Sequence, residues 1–258
     1  MSGKRGVGPR ALLFDVQGTA TDFHSTVQAE ACRISAGRHA GMDWGVFVNR
    51  WRAEYFAALT SMTRNENTPW VPVHSIYRNA LEHLLVGYAV TDFSEEEREE
   101  LTLAWQRLIP WPDVVPGLIR LKERFTLVTL SNADVCAVVN ISKRAGLPWD
   151  AIFTAEMAGV FKPAAEIYRM AATYLGLTPA EIMMVASHKY DIRAAAALGF
   201  QTAFVARPLE FGTGGTPDVA YDGEFDINAA NFLDLADQLD ARCSGALLHR
   251  PIAAKTSQ

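Results

Sequence analysis

The chain has 258 residues, 49% of them hydrophobic and 21% charged, which is enough apolar side chain to bury a substantial core and excludes a disordered polymer. Its 24 basic and 29 acidic residues leave a formal charge of −5, without the clustered Lys and Arg of a nucleic-acid footprint, so no nucleic-acid partner is expected. No stretch approaches the roughly 18 uninterrupted apolar residues of a membrane span, and the four apolar residues between the basic N-terminal stretch and Asp15 are too few for a secretory signal; the expectation is a soluble, cytoplasmic protein with no membrane partner.

The first element is the run Ala11-Leu12-Leu13-Phe14, which reads as a strand buried on both faces, with Asp15 at its carboxyl end and Gly18 turning the chain away. In open α/β sheets ligands bind beyond the carboxyl ends of the strands, so Asp15 stands where chemistry is usually found. Residues 23–109 then read as four helices, at about 25–36, 44–61, 74–86 and 94–108, with apolar residues three and four apart such as Val46, Trp51, Tyr55 and Leu59. Ser94 with Glu97 forms a capping box before the last of them. The stretch reads as a helical insertion between the first strand and the rest of the sheet.

From Trp111 onward strands alternate with helices. A short helix at 118–124 precedes a strand at 125–130 that ends in Ser131-Asn132; a helix follows to Ala145, then a short strand at Ile152-Phe153, Lys162-Pro163, and a helix through Tyr174. Ile182 to Ala186 is another buried strand, followed by Ser187-His188-Lys189-Tyr190-Asp191 and an Ala-rich helix, and Gln201 to Val205 is a fifth strand. The alternation predicts an α/β fold: a Rossmann-like parallel sheet with helices on both faces plus an inserted helical cap. The expected boundaries are 8–22 and 111–245 for the core, 23–110 for the cap and 246–258 for a flexible tail. Gly212-Thr213-Gly214-Gly215-Thr216 lacks the Lys-Ser/Thr ending of a phosphate loop and reads as a surface loop. Cys32, Cys136 and Cys243 are far apart, without metal-ligand spacing, and read as free buried thiols of a reducing compartment.

Asp15, Ser131 with Asn132, Lys162, and His188 with Asp191 all fall at or just beyond strand ends and are expected to converge on one rim. Each alone is an ordinary turn or cap residue; their coincidence along one chain points to a site.

These residues resemble the haloacid dehalogenase superfamily over nearly the whole chain. Phe14-Asp15-Val16-Gln17-Gly18-Thr19, Leu130-Ser131-Asn132, Lys162-Pro163 and Val185 through Asp191 look like its four motifs, and the insertion sits where its cap is carried. Trp51-Arg52, Pro110-Trp111-Pro112-Asp113 and Tyr168, six residues after Lys162, are similar to the L-2-haloacid dehalogenase subfamily. Gln17 stands where that subfamily commonly has an aromatic residue, Ala20 where it has leucine, and Lys189 where asparagine is frequent.

The resemblance implies that Asp15 displaces halide from the second carbon of a small 2-halocarboxylic acid, giving an ester that water cleaves. A turn acid bonded to its own loop is the alternative for Asp15. Lys162 would favour its charged form, and Thr19 would fix its rotamer. Arg52, Ser131, Asn132, Gln17 and Tyr190 are the implied substrate- and halide-binding residues, against a solvated surface arginine and helix caps. Tyr168 would orient Lys162 or serve as a core tyrosine. Asp191 is expected to position water for ester cleavage with His188 assisting as a base, against a histidine that merely satisfies hydrogen bonds.

No cofactor is expected. A phosphatase of the superfamily keeps a second aspartate where Gln17 stands, to protonate an alkoxide, and needs Mg²⁺ held by carboxylates; Ser187 and the charge of Lys189 also disfavour a metal, leaving Asp191 the only acid in that loop. The alternatives are an Mg²⁺-dependent small-molecule phosphatase and a catalytically silent member that binds a carboxylate or a protein partner. The apolar cap helices are compatible with a homodimer.

Overall fold

The computed structural model describes residues 8–63 and 69–247. In chain order the elements are β1 (Ala11–Phe14), β2 (Thr21–Asp22), α1 (Phe23–Ser35), α2 (Trp44–Thr63), α3 (Val73–Gly87), α4 (Glu95–Thr102), β3 (Ile109–Pro110), α5 (Val114–Lys122), β4 (Thr126–Ser131), α6 (Val135–Ala145), β5 (Ala151–Thr154), α7 (Ala155–Ala158), α8 (Ala165–Leu175), β6 (Ile182–Ala186), α9 (Lys189–Ala197), β7 (Gln201–Val205), β8 (Ile227–Ala229) and α10 (Phe232–Leu247).

Six strands form one parallel sheet in the order β5-β4-β1-β6-β7-β8. Every residue of β1 and β6 is buried, as expected of strands covered by helices on both faces. The chain leaves β1 to one side for β4 and later returns to its other side for β6. The order therefore reverses at β1, and the crevice beyond its carboxyl end is the usual ligand position of an open α/β sheet.

The inserted helices leave and re-enter through a two-stranded antiparallel pair, with Thr21 opposite Pro110 and Asp22 opposite Ile109. Asp22 also caps α1, accepting from Ser25 N at 2.9 Å, and the Ser94–Glu97 capping box starts α4. The last expected helix stops being α-helical at Thr102 and continues as a 3₁₀ turn over Leu103–Gln106. On α2 the buried stripe is Trp44, Phe47, Val48, Trp51, Tyr55 and Leu59; Val46, expected on that stripe, is 51% exposed. Trp51, Tyr55 and Tyr77 pack with Trp105, the two tyrosines stacking at 4.3 Å and Tyr77 on Trp105 at 4.1 Å.

The cysteines and Lys189 also differ from expectation. Cys32 and Cys136 are exposed rather than buried, Cys32 in α1 and Cys136 in the first turn of α6; the side chain of Cys243 lies outside the described residues, and of the tail expected over 246–258, residues 246 and 247 belong to α10 while those from 248 onward lie outside the described residues. The Lys189 ammonium pairs with Asp218 at 2.8 Å, so its charge is met there rather than by Asp191. Among the described residues no helix is long and apolar enough to cross a membrane.

Candidate active site

Asp15 follows β1 directly and is 5% exposed. Gly18 makes the turn that returns the chain over it, with φ of +92°, a left-handed conformation that side chains rarely adopt. The return places Thr19 under the carboxylate, where its Oγ1 donates to Asp15 Oδ2 at 2.7 Å. The same Oγ1 accepts from Ser187 N at 2.9 Å, tying the loop after β1 to the loop after β6.

Lys162 enters from the loop before α8, at a cis peptide to Pro163. Its ammonium lies between two carboxylates, 2.9 Å from Asp15 Oδ1 and 2.5 Å from Asp191 Oδ2. Burial opposes the charges of both Asp15 and Lys162, yet their proximity outweighs it. The Asp15 carboxyl is held far below the usual carboxylate range, helped by His188, and the ammonium is held above that of an ordinary lysine. Asp15 is therefore an anion that needs no base.

Asp191 is fully buried, and its remaining oxygen accepts from Tyr168 OH at 2.5 Å. This changes two expected roles. Tyr168 touches Asp191 rather than Lys162, and Asp191, with both oxygens engaged, holds the lysine from behind rather than facing water. Asn132 is likewise committed to Lys162: its Oδ1 accepts from the Lys162 amide at 2.8 Å and its Nδ2 donates to the Lys162 carbonyl at 3.2 Å. That leaves one of its amide hydrogens for a ligand. Ser131 is buried at the end of β4, the residue before Asn132.

His188 bridges two acids. Its Nδ1 is 3.0 Å from Asp15 Oδ2 and its Nε2 is 2.7 Å from Glu210 Oε1. A carboxylate only accepts hydrogen bonds, so both contacts are satisfied when the ring carries both protons. Burial opposes that charge, but Glu210 and then Asp15 outweigh it and push the imidazole up to about 10. Placed between two carboxylates, the ring is drawn toward its doubly protonated form, an arrangement that suits a hydrogen-bond donor better than the base expected of it. Glu210 lies in the loop after β7 and was not among the expected residues; the rule that drew attention to the other strand ends applies equally to the end of β7.

The cap closes over this rim through α2. Arg52 is 4% exposed, its guanidinium flanked by Phe23, Tyr55, Phe56 and Trp105 with the rings 4.6–5.7 Å away. It donates to Gln17 Oε1 at 2.8 Å and to the Tyr77 hydroxyl, while its buried Nε has no partner among the described residues. The surface-arginine alternative is thus overturned: Arg52 is a buried cation with aromatic walls and neutral hydrogen-bond partners. Tyr55 OH reaches across to Asn132 O at 2.7 Å, joining cap to core. Between them lies a cavity of about 620 Å³ lined by Phe56 and Leu59 of the cap and by Asn132, Lys162, Pro163 and Tyr190 of the core. Tyr190, 42% exposed, also stacks on the His188 ring.

The Pro110–Asp113 segment supports the loop after β1. Trp111 Nε1 donates to Gly18 O at 2.9 Å, and Asp113 receives Arg207 in a two-bond fork at 2.8 and 3.0 Å while Arg207 Nε donates to Thr19 O at 2.7 Å.

A divalent cation would need several oxygens aimed at one point. Among the described residues no group of three or more His, Cys, Asp or Glu side chains is arranged to hold one. The Asp15–Asp191 pair is spanned by an ammonium, and the Gln17 oxygen is turned to Arg52 and Tyr77. The donor set does not suit Mg²⁺.

Residues 9–199 match the family model described as haloacid dehalogenase-like hydrolase. The (S)-2-haloacid dehalogenase of Xanthobacter autotrophicus is 29% identical over 203 residues, covering 77% of this chain and 75% of that protein. Among solved structures, an L-2-haloacid dehalogenase superposes with a TM-score of 0.84 at 37% identity, covering 90% of this chain and 100% of that one. A defluorinating L-2-haloacid dehalogenase superposes with a TM-score of 0.85 at 35% identity, covering 90% and 95%.

Proposed function

The chain belongs to the haloacid dehalogenase-like hydrolases, and from that premise we propose that it hydrolyses short 2-haloalkanoic acids to 2-hydroxy acids through an ester on Asp15. The observation that carries the reading is the Asp15 carboxylate itself. It is buried and ionised, with Oδ2 held by Thr19 and His188 and with Oδ1 accepting, among the described residues, from Lys162 alone. Oδ1 is the oxygen with a lone pair to spare, and it is the proposed nucleophile.

In the first step Oδ1 bonds to the substrate's second carbon, and the carbon–halogen bond breaks with its electron pair leaving on halide. Halide departs without a proton, and Gln17 has none to give. Arg52, a buried cation with no carboxylate contact among the described residues, would receive the halide or the substrate carboxylate, and Ser131, the free hydrogen of Asn132 and Tyr190 would complete the binding surface. In the second step water cleaves the ester. Lys162 is the cation that keeps Asp15 anionic, and Asp191 and Tyr168 hold Lys162 in place. We propose that the reaction needs no metal, which the donor set supports, and that residues 23–110 act as the cap on a core of 8–22 and 111–245.

The test is halide release from chloroacetate, fluoroacetate and 2-chloropropionate in the presence of chelator. We expect release by the native chain and none above background from Asp15→Asn. A phosphatase would instead release phosphate from phosphate esters and lose activity with chelator, and a silent member would do neither.

A further inference from the structure

We propose that Glu210 is the counter-ion that keeps His188 a cation while Asp15 is esterified, and that this cation, with the Thr19 hydroxyl, is the oxyanion site for ester cleavage. The inference rests on the dehalogenase reading and adds to it a residue, Glu210, and a different task for His188.

The geometry separates the two oxygens of Asp15. If Oδ1, bound to Lys162, forms the ester, then Oδ2 becomes the ester's carbonyl oxygen. Oδ2 is the atom that already faces Thr19 Oγ1 at 2.7 Å and His188 Nδ1 at 3.0 Å. When water adds to Cγ of Asp15, the carbonyl electron pair moves onto Oδ2, and two donors stand where that charge develops. The Cγ–Oδ1 bond then breaks, Oδ1 leaves with the product, and the carboxylate re-forms with the water's oxygen. Of the water's two protons one ends on the product hydroxyl and one passes to solvent; His188 keeps both of its own throughout.

Esterification creates the need for Glu210. In the free protein the ring faces two carboxylates, Asp15 from the end of β1 and Glu210 from the loop after β7, while Tyr190 of α9 stacks on it and Phe56 of α2 meets its edge. Alkylation removes the Asp15 charge at the moment before the cation is used. Glu210, 4% exposed and 2.7 Å from Nε2, is the carboxylate that remains. Room for it is made at Gly18, where an added Cβ would collide with Glu210 Oε1 and lie 3.3 Å from His188 Cε1.

Glu210→Gln keeps an acceptor for Nε2–H and removes only the charge. Measured by rapid quench with 2-chloropropionate, it is expected to keep the halide burst but to cleave the ester more slowly, by up to about 10²-fold. Its cleavage rate is also expected to fall as pH rises through roughly 6.5, the ordinary histidine value, whereas the native rate shows no such limb there. Ester cleavage at the native rate with an unchanged pH profile would overturn the proposal, as would equal loss of both steps, which would make Glu210 a structural residue. Should the variant not fold, nitrogen NMR of labelled histidine in Asp15→Asn, whose amide stands in for the neutral ester, is expected to show the His188 ring doubly protonated at mildly alkaline pH; a neutral ring would overturn the proposal. Absence of halide release by the native protein would refute the dehalogenase reading and this inference together, whereas native release with an unaffected Glu210→Gln refutes the inference alone.

Discussion

Tyr168 reaches Asp15 only through others: its hydroxyl holds Asp191, Asp191 holds Lys162, and Lys162 holds Asp15 Oδ1, the proposed nucleophile. Tyr168→Phe leaves a buried carboxylate oxygen without that donor, which costs about 1–3 kcal/mol. Urea unfolding should show a loss in that range, and halide release should slow because the ammonium is no longer fixed. Asp15, Lys162, His188 and Asp191 were legible as a group because strand ends in a parallel sheet share one rim, so position along the chain sufficed to collect them. Their pairings were not legible. Which acid Tyr168 meets, and whether Asn132 binds a ligand or the backbone of Lys162, depends on helix packing and rotamers that no local pattern encodes. Glu210 was missed because its loop carries no recognisable spacing, and its partner, the far side of the His188 ring, is defined by the fold alone.

The cap is fastened to the core by a core residue that terminates a cap helix. α3 starts at Val73 behind Pro72, which offers no side-chain acceptor, and the carboxylate of Asp134 at the start of α6 takes the first two N–H groups of the helix, from Val73 at 2.7 Å and His74 at 2.8 Å. Asp134→Ala should therefore cost about 0.5–2 kcal/mol and raise hydrogen exchange in the first turn of α3 more than in the sheet. Equal change in both would mean the carboxylate is not a specific fastening. At this scale the amphipathic helices could be read from periodicity and the strands β1, β4, β6 and β7 from their apolar runs. β8, three residues long, is too short to show a period, and β2 and β3, two residues each, exist only because the chain passes itself where the cap begins and ends.

Across the whole molecule the site gathers three anions, Asp15, Asp191 and Glu210, and three cations, Lys162, Arg52 and His188. In the proposed reaction, esterification of Asp15 removes one negative charge from this cluster. The His188 ring carries the pH dependence. Its folded value is raised to about 10 from 6.5, so its contribution to stability is fully present below about pH 6.5 and is lost as pH rises through about 10. Denaturation midpoints should fall over that interval in the native chain and fall less in His188→Asn; parallel curves would mean the ring is neutral in the folded state.

Whether Asp15 bonds to carbon is settled most directly by a single turnover in water enriched in oxygen-18, with enzyme in excess over 2-chloropropionate, followed by peptide mass spectrometry. The label is expected in the peptide that contains Asp15, with the hydroxyl of the 2-hydroxy acid unlabelled. Label in the product hydroxyl and none in Asp15 would mean that water attacks the substrate directly, and Asp15 would not be the nucleophile.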